Sequence, residues 1–223
     1  MTRQATKPYR GLMGMEGQTA RRYANLRGSQ PQMEQYRRQA AELTAGLDDG
    51  AQVLEIAPGP GYLAIEMARP GRLGVTGLDV SKTFVELAAT AAREQGVAVE
   101  FRVGDVADMP FAEDTFHLAV SQAAFKNFSR PARALAEIHR VLRPGGTAII
   151  QDMSRDASGS DIAREVNGMG VGRGSAVMTK AILAQLRRRA YSPAQFEQLV
   201  ADSPFQTCEI TTEGIGMEIR MRK

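Results

Sequence analysis

The run from Val53 to Ala64, Val-Leu-Glu-Ile-Ala-Pro-Gly-Pro-Gly-Tyr-Leu-Ala, constrains this chain more than any other feature, together with Asp79 at the end of the next apolar run. Val53, Leu54 and Ile56 read as a buried strand, Gly59 and Gly61 as a turn without side chains, and the residues after them as a helix start. An acid about 20 residues beyond the first glycine completes the opening unit of a sheet that binds an adenosine-containing ligand at a helix N-terminus. Asp79 is placed to accept from both ribose hydroxyls.

The turn Gly59-x-Gly61-x-x-Ala64 also satisfies the dinucleotide fingerprint, so by itself it serves a nicotinamide cofactor as well as S-adenosylmethionine. Glu55 separates the two. Pointing into the turn, its carboxylate repels a pyrophosphate and attracts the ammonium and sulfonium of S-adenosylmethionine. Turned to solvent, it carries no such information.

At 223 residues the chain fits one large domain with a sizeable core. Hydrophobic content of 43% and charged content of 24% are those of a globular protein, and no apolar run reaches the roughly 18 residues of a membrane span. The N-terminus carries charge without an apolar signal region, so the expected location is the cytoplasm. Cys208 is the only cysteine, which excludes an internal disulfide and a cysteine-cluster metal site; it is expected to pack in a late strand. A net charge of +3 is too mild to imply nucleic acid, although residues 1–45 hold eight basic side chains against three acids. That excess is expected to form a solvated basic face.

Strands and helices alternate along the chain. Residues 1–17 read as a mobile lead-in, and Met33, Tyr36, Ala40, Leu43 and Leu47 mark an amphipathic helix. Strands are expected at about 52–57, 73–79, 97–103, 116–121 and 147–151, the last starting after Pro144-Gly145-Gly146. Ser81 caps one intervening helix, and Leu135, Ile138 and Leu142 face inward from another. Beyond Asp152 come a polar stretch, the run Gly168 to Gly174, and a helix carrying Met178, Ile182 and Leu186. Ser192-Pro193-x-Gln195 is a capping box with proline at the first helical position. Residues 205–212 and 215–221 then form an antiparallel hairpin around Glu213-Gly214. The expected fold is α/β, a mostly parallel seven-stranded sheet with helices on both faces and a C-terminal antiparallel hairpin. It divides into an N-terminal helical cap (1–48), a cofactor-binding core (50–152), an inserted helical segment (153–191) and a final helix with the hairpin (192–223).

Four ordered segments carry a resemblance: Val53 to Gly61, Gly77-Leu-Asp79-Val-Ser81, Gly104-Asp105 to Phe111, and Leu142-Arg-Pro-Gly-Gly146. Together they resemble the class I S-adenosylmethionine-dependent methyltransferases, in particular the ubiquinone and menaquinone biosynthesis branch, over about 50–151. The resemblance implies a Rossmann-like three-layer sandwich with S-adenosyl-L-methionine as cofactor. It places Glu55, Ala57, Gly59 and Gly61 at the methionyl end, Asp79 and Val80 at the ribose, and Ser121 and Gln122 at the end of the fourth strand. Asp105 would accept from the adenine amino group while the Val106 amide donates to the ring. Two departures stand out: Ala57 replaces the family's usual first glycine, and His117 replaces a frequent aspartate at the entry of strand four, away from the ligand edge.

Methyl transfer from a sulfonium is an in-line displacement on an activated carbon, so the protein mainly aligns the reactants and excludes water. Candidates for a base lie near the carboxyl ends of strands: Gln122, Lys126, Asp152 and Ser154, with Lys126 and Asp152 the leading catalytic candidates. His139 is expected to pack or to face solvent. Tyr23 and the basic N-terminal helix are expected to cover the cofactor. The insertion walls the acceptor pocket or makes a homodimer contact, and its glycine run acts as a lid or hinge. Met169 and Met178 suit an aromatic or lipid-like small-molecule acceptor, and equally a core stripe. No metal is implied. Two other readings stay open: a nicotinamide (NAD(P)-dependent) oxidoreductase, disfavoured by the missing Tyr-x-x-x-Lys pair, and a non-catalytic regulatory module that binds S-adenosylmethionine. A protein or RNA methyltransferase lacks its recognition domain and acceptor motif here.

Overall fold

A computed structural model describes residues 15–169 and 172–223, with Arg173 described by its backbone alone. Most of the expected lead-in (1–14) and Gly170 and Val171 of the glycine run lie outside the described residues. In chain order the elements are α1 (Gly17–Arg27), α2 (Gln30–Thr44), β1 (Gln52–Ile56), α3 (Tyr62–Ala68), β2 (Gly74–Asp79), α4 (Lys82–Glu94), β3 (Glu100–Val103) and β4 (Phe116–Gln122). A single 3₁₀ turn, Phe125–Asn127, precedes α5 (Pro131–Val141), β5 (Leu142–Met153), α6 (Gly159–Gly168), α7 (Arg173–Arg189), α8 (Pro193–Ala201), β6 (Glu209–Glu213) and β7 (Gly216–Arg222).

The seven strands form one sheet in the order β3-β2-β1-β4-β5-β7-β6. The first five are parallel, and β7 runs antiparallel between β5 and β6. The order reverses direction between β1 and β4, and ligands in open sheets of this kind bind in the crevice at that point, beyond the carboxyl ends of the strands.

Side chains alternate across β1, so Val53 joins one apolar layer and Leu54 and Ile56 the other. Against Val53, Val75, Val120 and Ile149 pack Leu63 and Met67 of α3 and Tyr36, Ala40 and Leu43 of α2. Leu135 and Ile138 of α5 and Phe196 and Val200 of α8 cover the opposite face. Glu55 shares the face of Val53, which puts its carboxyl under α2 and α3 and leaves it only 3% exposed.

Helix starts follow the local chemistry. Ser81 Oγ accepts from Phe84 N at the head of α4, and Ser192 and Gln195 close a reciprocal box at α8. Four elements depart from expectation. The strand expected at 97–103 begins at Glu100. Pro144-Gly145-Gly146 does not precede β5 but interrupts it as a bulge, the register against β4 passing from Phe116–Leu142 to Leu118–Thr147. The polar stretch after Asp152 contains a full helix, α6, opened by a Ser158–Asp161 capping box and anchored by buried Ile162 and Val166. The hairpin begins at Glu209 instead of 205, and Cys208 packs at the core edge just ahead of it.

Ala57 sits at φ 56°, the left-handed region, with its amide donating to Leu78 O at 2.8 Å. The family's usual glycine would adopt that conformation without strain, and a side chain there costs roughly 1–2 kcal/mol. Restoring glycine also enlarges the unfolded ensemble, which offsets about half of the gain. Ala57→Gly is therefore expected to raise unfolding stability by up to about 1 kcal/mol in urea titration; a loss of that size would show that the methyl group packs more than it strains.

Candidate functional site

The turn after β1 is held open by backbone geometry and tied down by one carboxylate. Gly59 and Gly61 both lie at positive φ, and a Cβ on Gly61 would stand 2.7 Å from the Ala88 methyl and 2.8 Å from the Phe101 ring. Asp79, at the end of β2, accepts from Gly59 N through Oδ2 at 3.0 Å and from Ser81 N through Oδ1 at 2.9 Å. One side chain thus joins the glycine turn, the end of β2 and the head of α4. Burial pushes the Asp79 carboxyl up to about 6, although the amides that donate to it pull the other way.

Glu55 points under the same turn. Its Oε2 has no hydrogen-bond partner, and Ser121 Oγ at the end of β4 is likewise buried and unpartnered among the described residues. Burial drives the Glu55 carboxyl up to about 8, and nearby Asp79 adds to the shift. Buried polar atoms are nearly always satisfied, so two orphans on adjacent strands at the carboxyl edge mark a place built for a polar ligand.

Glu55 lines a small cavity of about 50 Å³, together with Ala57, Gly59 and Gln122 from the sheet edge and Tyr23 and Arg27 from α1. Of the residues expected to bind the cofactor, Tyr23, Glu55, Ala57, Gly59 and Gln122 therefore meet in one place; Asp79 is bonded to Gly59, and Gly61 and Ser121 are chain neighbours of the lining residues Pro60 and Gln122. Val80, 36% exposed, lies one residue beyond the strap. Asp105 and Val106 lie apart on the loop after β3. There Asp105 Oδ1 accepts from Ala107 N at 2.8 Å, and Oδ2 receives Arg130 Nη2 at 2.9 Å. The proposed adenine contact therefore has an arginine as competitor.

Sequence reasoning missed Arg27 and Tyr36 as cavity residues and took Tyr36 only as helix packing. The Arg27 guanidinium stands 5.5 Å from the centre of the Tyr36 ring. α1 is latched over the turn from three sides. Tyr62 Oη donates to Ala24 O at 3.0 Å, Tyr23 sets its ring edge against Phe84 at 5.9 Å, and Glu16 accepts from Lys82 N and Thr83 N at the head of α4. An arginine and a tyrosine some 30 residues upstream carry no local signal of this; only the helix spacing on Tyr36 was visible.

Lys126 and Asp152, expected as catalytic candidates, have a different first task. Lys126 Nζ lies 2.7 Å from Asp152 Oδ1, with side chains 5% and 2% exposed, and Nζ also donates to Ala123 O. Asp152 further accepts from Lys126 N and Met153 N. Each charge neutralises the other. The pair fixes the loop that follows Gln122, where Ala123 sits at φ 53°. Gln122 itself donates to Gln151, which donates to Glu218. Ser154 Oγ accepts from Asp156 N. His117 stands at the amino end of β4, with Nδ1 accepting from Gln52 N and Nε2 3.0 Å from Arg143, and His139 packs its ring edge on Phe205.

Comparison with known proteins agrees with this architecture. Residues 54–150 match the family model described as a methyltransferase domain. A demethylmenaquinone methyltransferase from Chlorobaculum parvum is 37% identical over 99 residues, 44% of this chain and 39% of its own length. The ubiquinone/menaquinone biosynthesis C-methyltransferase UbiE of Bdellovibrio bacteriovorus is 33% identical over 112 residues, covering 50% of this chain and 48% of that protein. The matched part is thus about half or less of the curated relatives' length. Among solved structures, a SAM-dependent methyltransferase from Aquifex aeolicus superposes with TM-score 0.67 at 16% identity, covering 90% of this chain and 97% of the other. The [4+2]-cyclase SpnF does so at 0.57 and 22% identity, covering 87% and 82%. One fold hosts both names, so function lies in the site and not in the fold.

Removing one member of the buried pair leaves the other uncompensated, at a cost of about 3–5 kcal/mol. Lys126→Met is expected to lower stability by that amount in urea titration, and Lys126→Met with Asp152→Asn to recover most of it. A single variant within about 1 kcal/mol of wild type would show that the two charges are not buried against each other.

Proposed function

We infer, from a chain whose residues 54–150 carry the methyltransferase domain and whose crevice ends in an unpaired acid, that it transfers a methyl group from S-adenosylmethionine to a small-molecule acceptor. The observation that carries this reading is the orphaned Glu55 Oε2. A pyrophosphate approaching it would meet a buried acid, whereas an ammonium supplies the missing hydrogen bond and the missing charge together. Arg27, on the other side of the cavity, matches the carboxylate of the same amino-acid end. Asp79 retains lone pairs for the ribose hydroxyls after accepting from Gly59 and Ser81. Ser121 is free to turn its hydroxyl toward the ligand.

When bound, S-adenosylmethionine supplies a methyl carbon already activated by positive sulfur. The chain's own residues do the rest: Glu55, Arg27 and Asp79 fix the donor's orientation, α1 with Tyr23 shuts water out, and the Lys126–Asp152 pair holds the Gln122 loop in register. Lys126 and Asp152 enter this reading as positioning residues. The acceptor is proposed to be an aromatic, lipid-like small molecule, as the names of the quinone-pathway relatives suggest, methylated on carbon. Among the described residues no His, Cys, Asp and Glu group is placed to hold a metal ion.

Calorimetry with S-adenosylmethionine, S-adenosylhomocysteine and NAD tests the reading directly. Both adenosyl compounds are expected to bind and NAD to leave no heat; the reverse pattern would assign the crevice to a nicotinamide. Glu55→Gln is expected to weaken S-adenosylmethionine by at least about tenfold, and Asp79→Ala by about 1–3 kcal/mol.

The Glu55 titration gives two further outcomes. A carboxyl raised from its ordinary value of 4.5 to about 8 keeps its proton in the folded ligand-free chain, so its contribution to stability is complete below about pH 4.5 and is lost as pH rises through about 8. Glu55→Gln should therefore stabilise the ligand-free chain at pH 8 relative to pH 5. An incoming ammonium favours the carboxylate, so binding at pH 7 is expected to release protons, read as a buffer-dependent binding heat, and affinity to tighten from pH 6 to 8. Binding heat independent of the buffer would show that Glu55 is already ionised or does not meet the ammonium.

A further inference from the structure

Four of the seven large apolar side chains left exposed among the described residues fall in one short stretch: Met169, Val177, Met178 and Ile182. Val177, Met178 and Ile182 belong to α7, a 17-residue helix with no buried residue among those whose side chains are described, in contact chiefly with α6. With Ala181 they form the exposed face of its first turns, and Arg188 and Arg189 continue that face to the C-terminal end. The sequence of α7 contains no acid, while Lys180 and Arg187 to Arg189 are all cationic. Residues 153–191 hold seven cations against three anions, a net +4 in a chain whose whole charge is +3. A strong positive excess therefore sits on the same segment that exposes these apolar side chains.

α6 and α7 spring from the carboxyl end of β5, the same sheet edge that carries the Glu55 cavity. The base of α7 is pinned there: Arg187 Nη1 donates to Ala157 O at 2.7 Å, and Arg155 Nη2 donates to Arg188 O at 2.7 Å. A surface that engages α7 would thus face the edge at which an acceptor enters.

We propose that the exposed face of α7 docks on a lipid surface bearing anionic headgroups. Val177, Met178 and Ile182 insert at the headgroup boundary, and Arg188 and Arg189 lie against the phosphates, their aliphatic stems reaching past the apolar stripe. The charge of the segment selects an anionic surface, and the exposed aliphatic side chains select a bilayer over nucleic acid, which would take the arginines and leave the stripe in water. No helix among the described residues is long and apolar enough to cross a membrane, so the contact is peripheral. The proposal rests on α7 alone and stands whether or not the crevice takes S-adenosylmethionine.

Co-sedimentation of the full chain with vesicles of phosphatidylcholine, alone or with about one third phosphatidylglycerol, is the test. The wild type is expected to pellet with the anionic vesicles and to remain in solution with the neutral ones. Met178→Ser with Ile182→Ser, and separately Arg188→Gln with Arg189→Gln, should each lower partitioning by about tenfold or more. All four side chains are on the exposed face, so melting temperature and S-adenosylmethionine heats should match wild type, and Glu55→Gln should pellet normally. Failure of the wild type to bind anionic vesicles, or equal binding by the double variants, overturns the proposal. So does a dimer in sedimentation velocity that Met178→Ser with Ile182→Ser dissociates, which gives the face to a second copy, or a gel shift with an oligonucleotide in place of vesicle binding.

Discussion

The carboxylate of Asp79 is the interaction on which the site is built. Its two oxygens accept from Gly59 N and Ser81 N, so a single residue joins the loop leaving β1, the end of β2 and the start of α4. The glycines permit the turn, but permission is not position: a segment with positive φ at Ala57, Gly59 and Gly61 has many accessible shapes in isolation. The strap selects one of them. It does so at an electrostatic penalty, since the carboxyl is nearly buried and raised to about 6. The two amide bonds that Asp79 accepts offset part of that penalty.

Glu55 carries the same logic further, because only the Ala64 amide opposes its burial and its Oε2 has no partner among the described residues. A glutamine or leucine at that place on the central strand would fold without a buried acid, and a cation from outside is the partner that the proposed function supplies. The contrast with Glu137 is instructive. That acid is held below its usual range, first by the Arg140 side chain and also by Met109 N, and it simply fastens the loop after β3 to α5. The Glu137 carboxylate is held by its partners, whereas Glu55 keeps a buried oxygen without one among the described residues.

Much of this was legible in the amino-acid order because it is written in local codes. The strand–turn–helix at Val53 to Ala64, the caps at Ser81 and Ser192, and the alternation that gives a parallel sheet all depend on residues within a few positions of one another. What escaped notice depends on distance. The bulge at Pro144–Gly146 exists because Gly145 N and Gly146 O bond to Lys223, far along the chain. α6 was obscured by a Ser- and Gly-rich opening that reads as loop until Ile162 and Val166 find a surface to bury. Arg27 and Tyr36 enter the cavity only because α1 folds back across the turn, and the mutual neutralisation of Lys126 and Asp152 requires β4 and β5 to be neighbours.

The placement of β7 between β5 and β6 bears on how the chain reaches this state. β1 to β5 are synthesised before residue 154, yet β5 gains its second neighbour only when residues 216–222 arrive. During that interval on the ribosome, a twelve-residue strand carrying Ile149 and Ile150 presents unsatisfied amides and carbonyls along one side. A nascent chain halted in this window displays a template for intermolecular pairing, so the late hairpin acts as a built-in guard against aggregation as much as a finishing piece of the sheet.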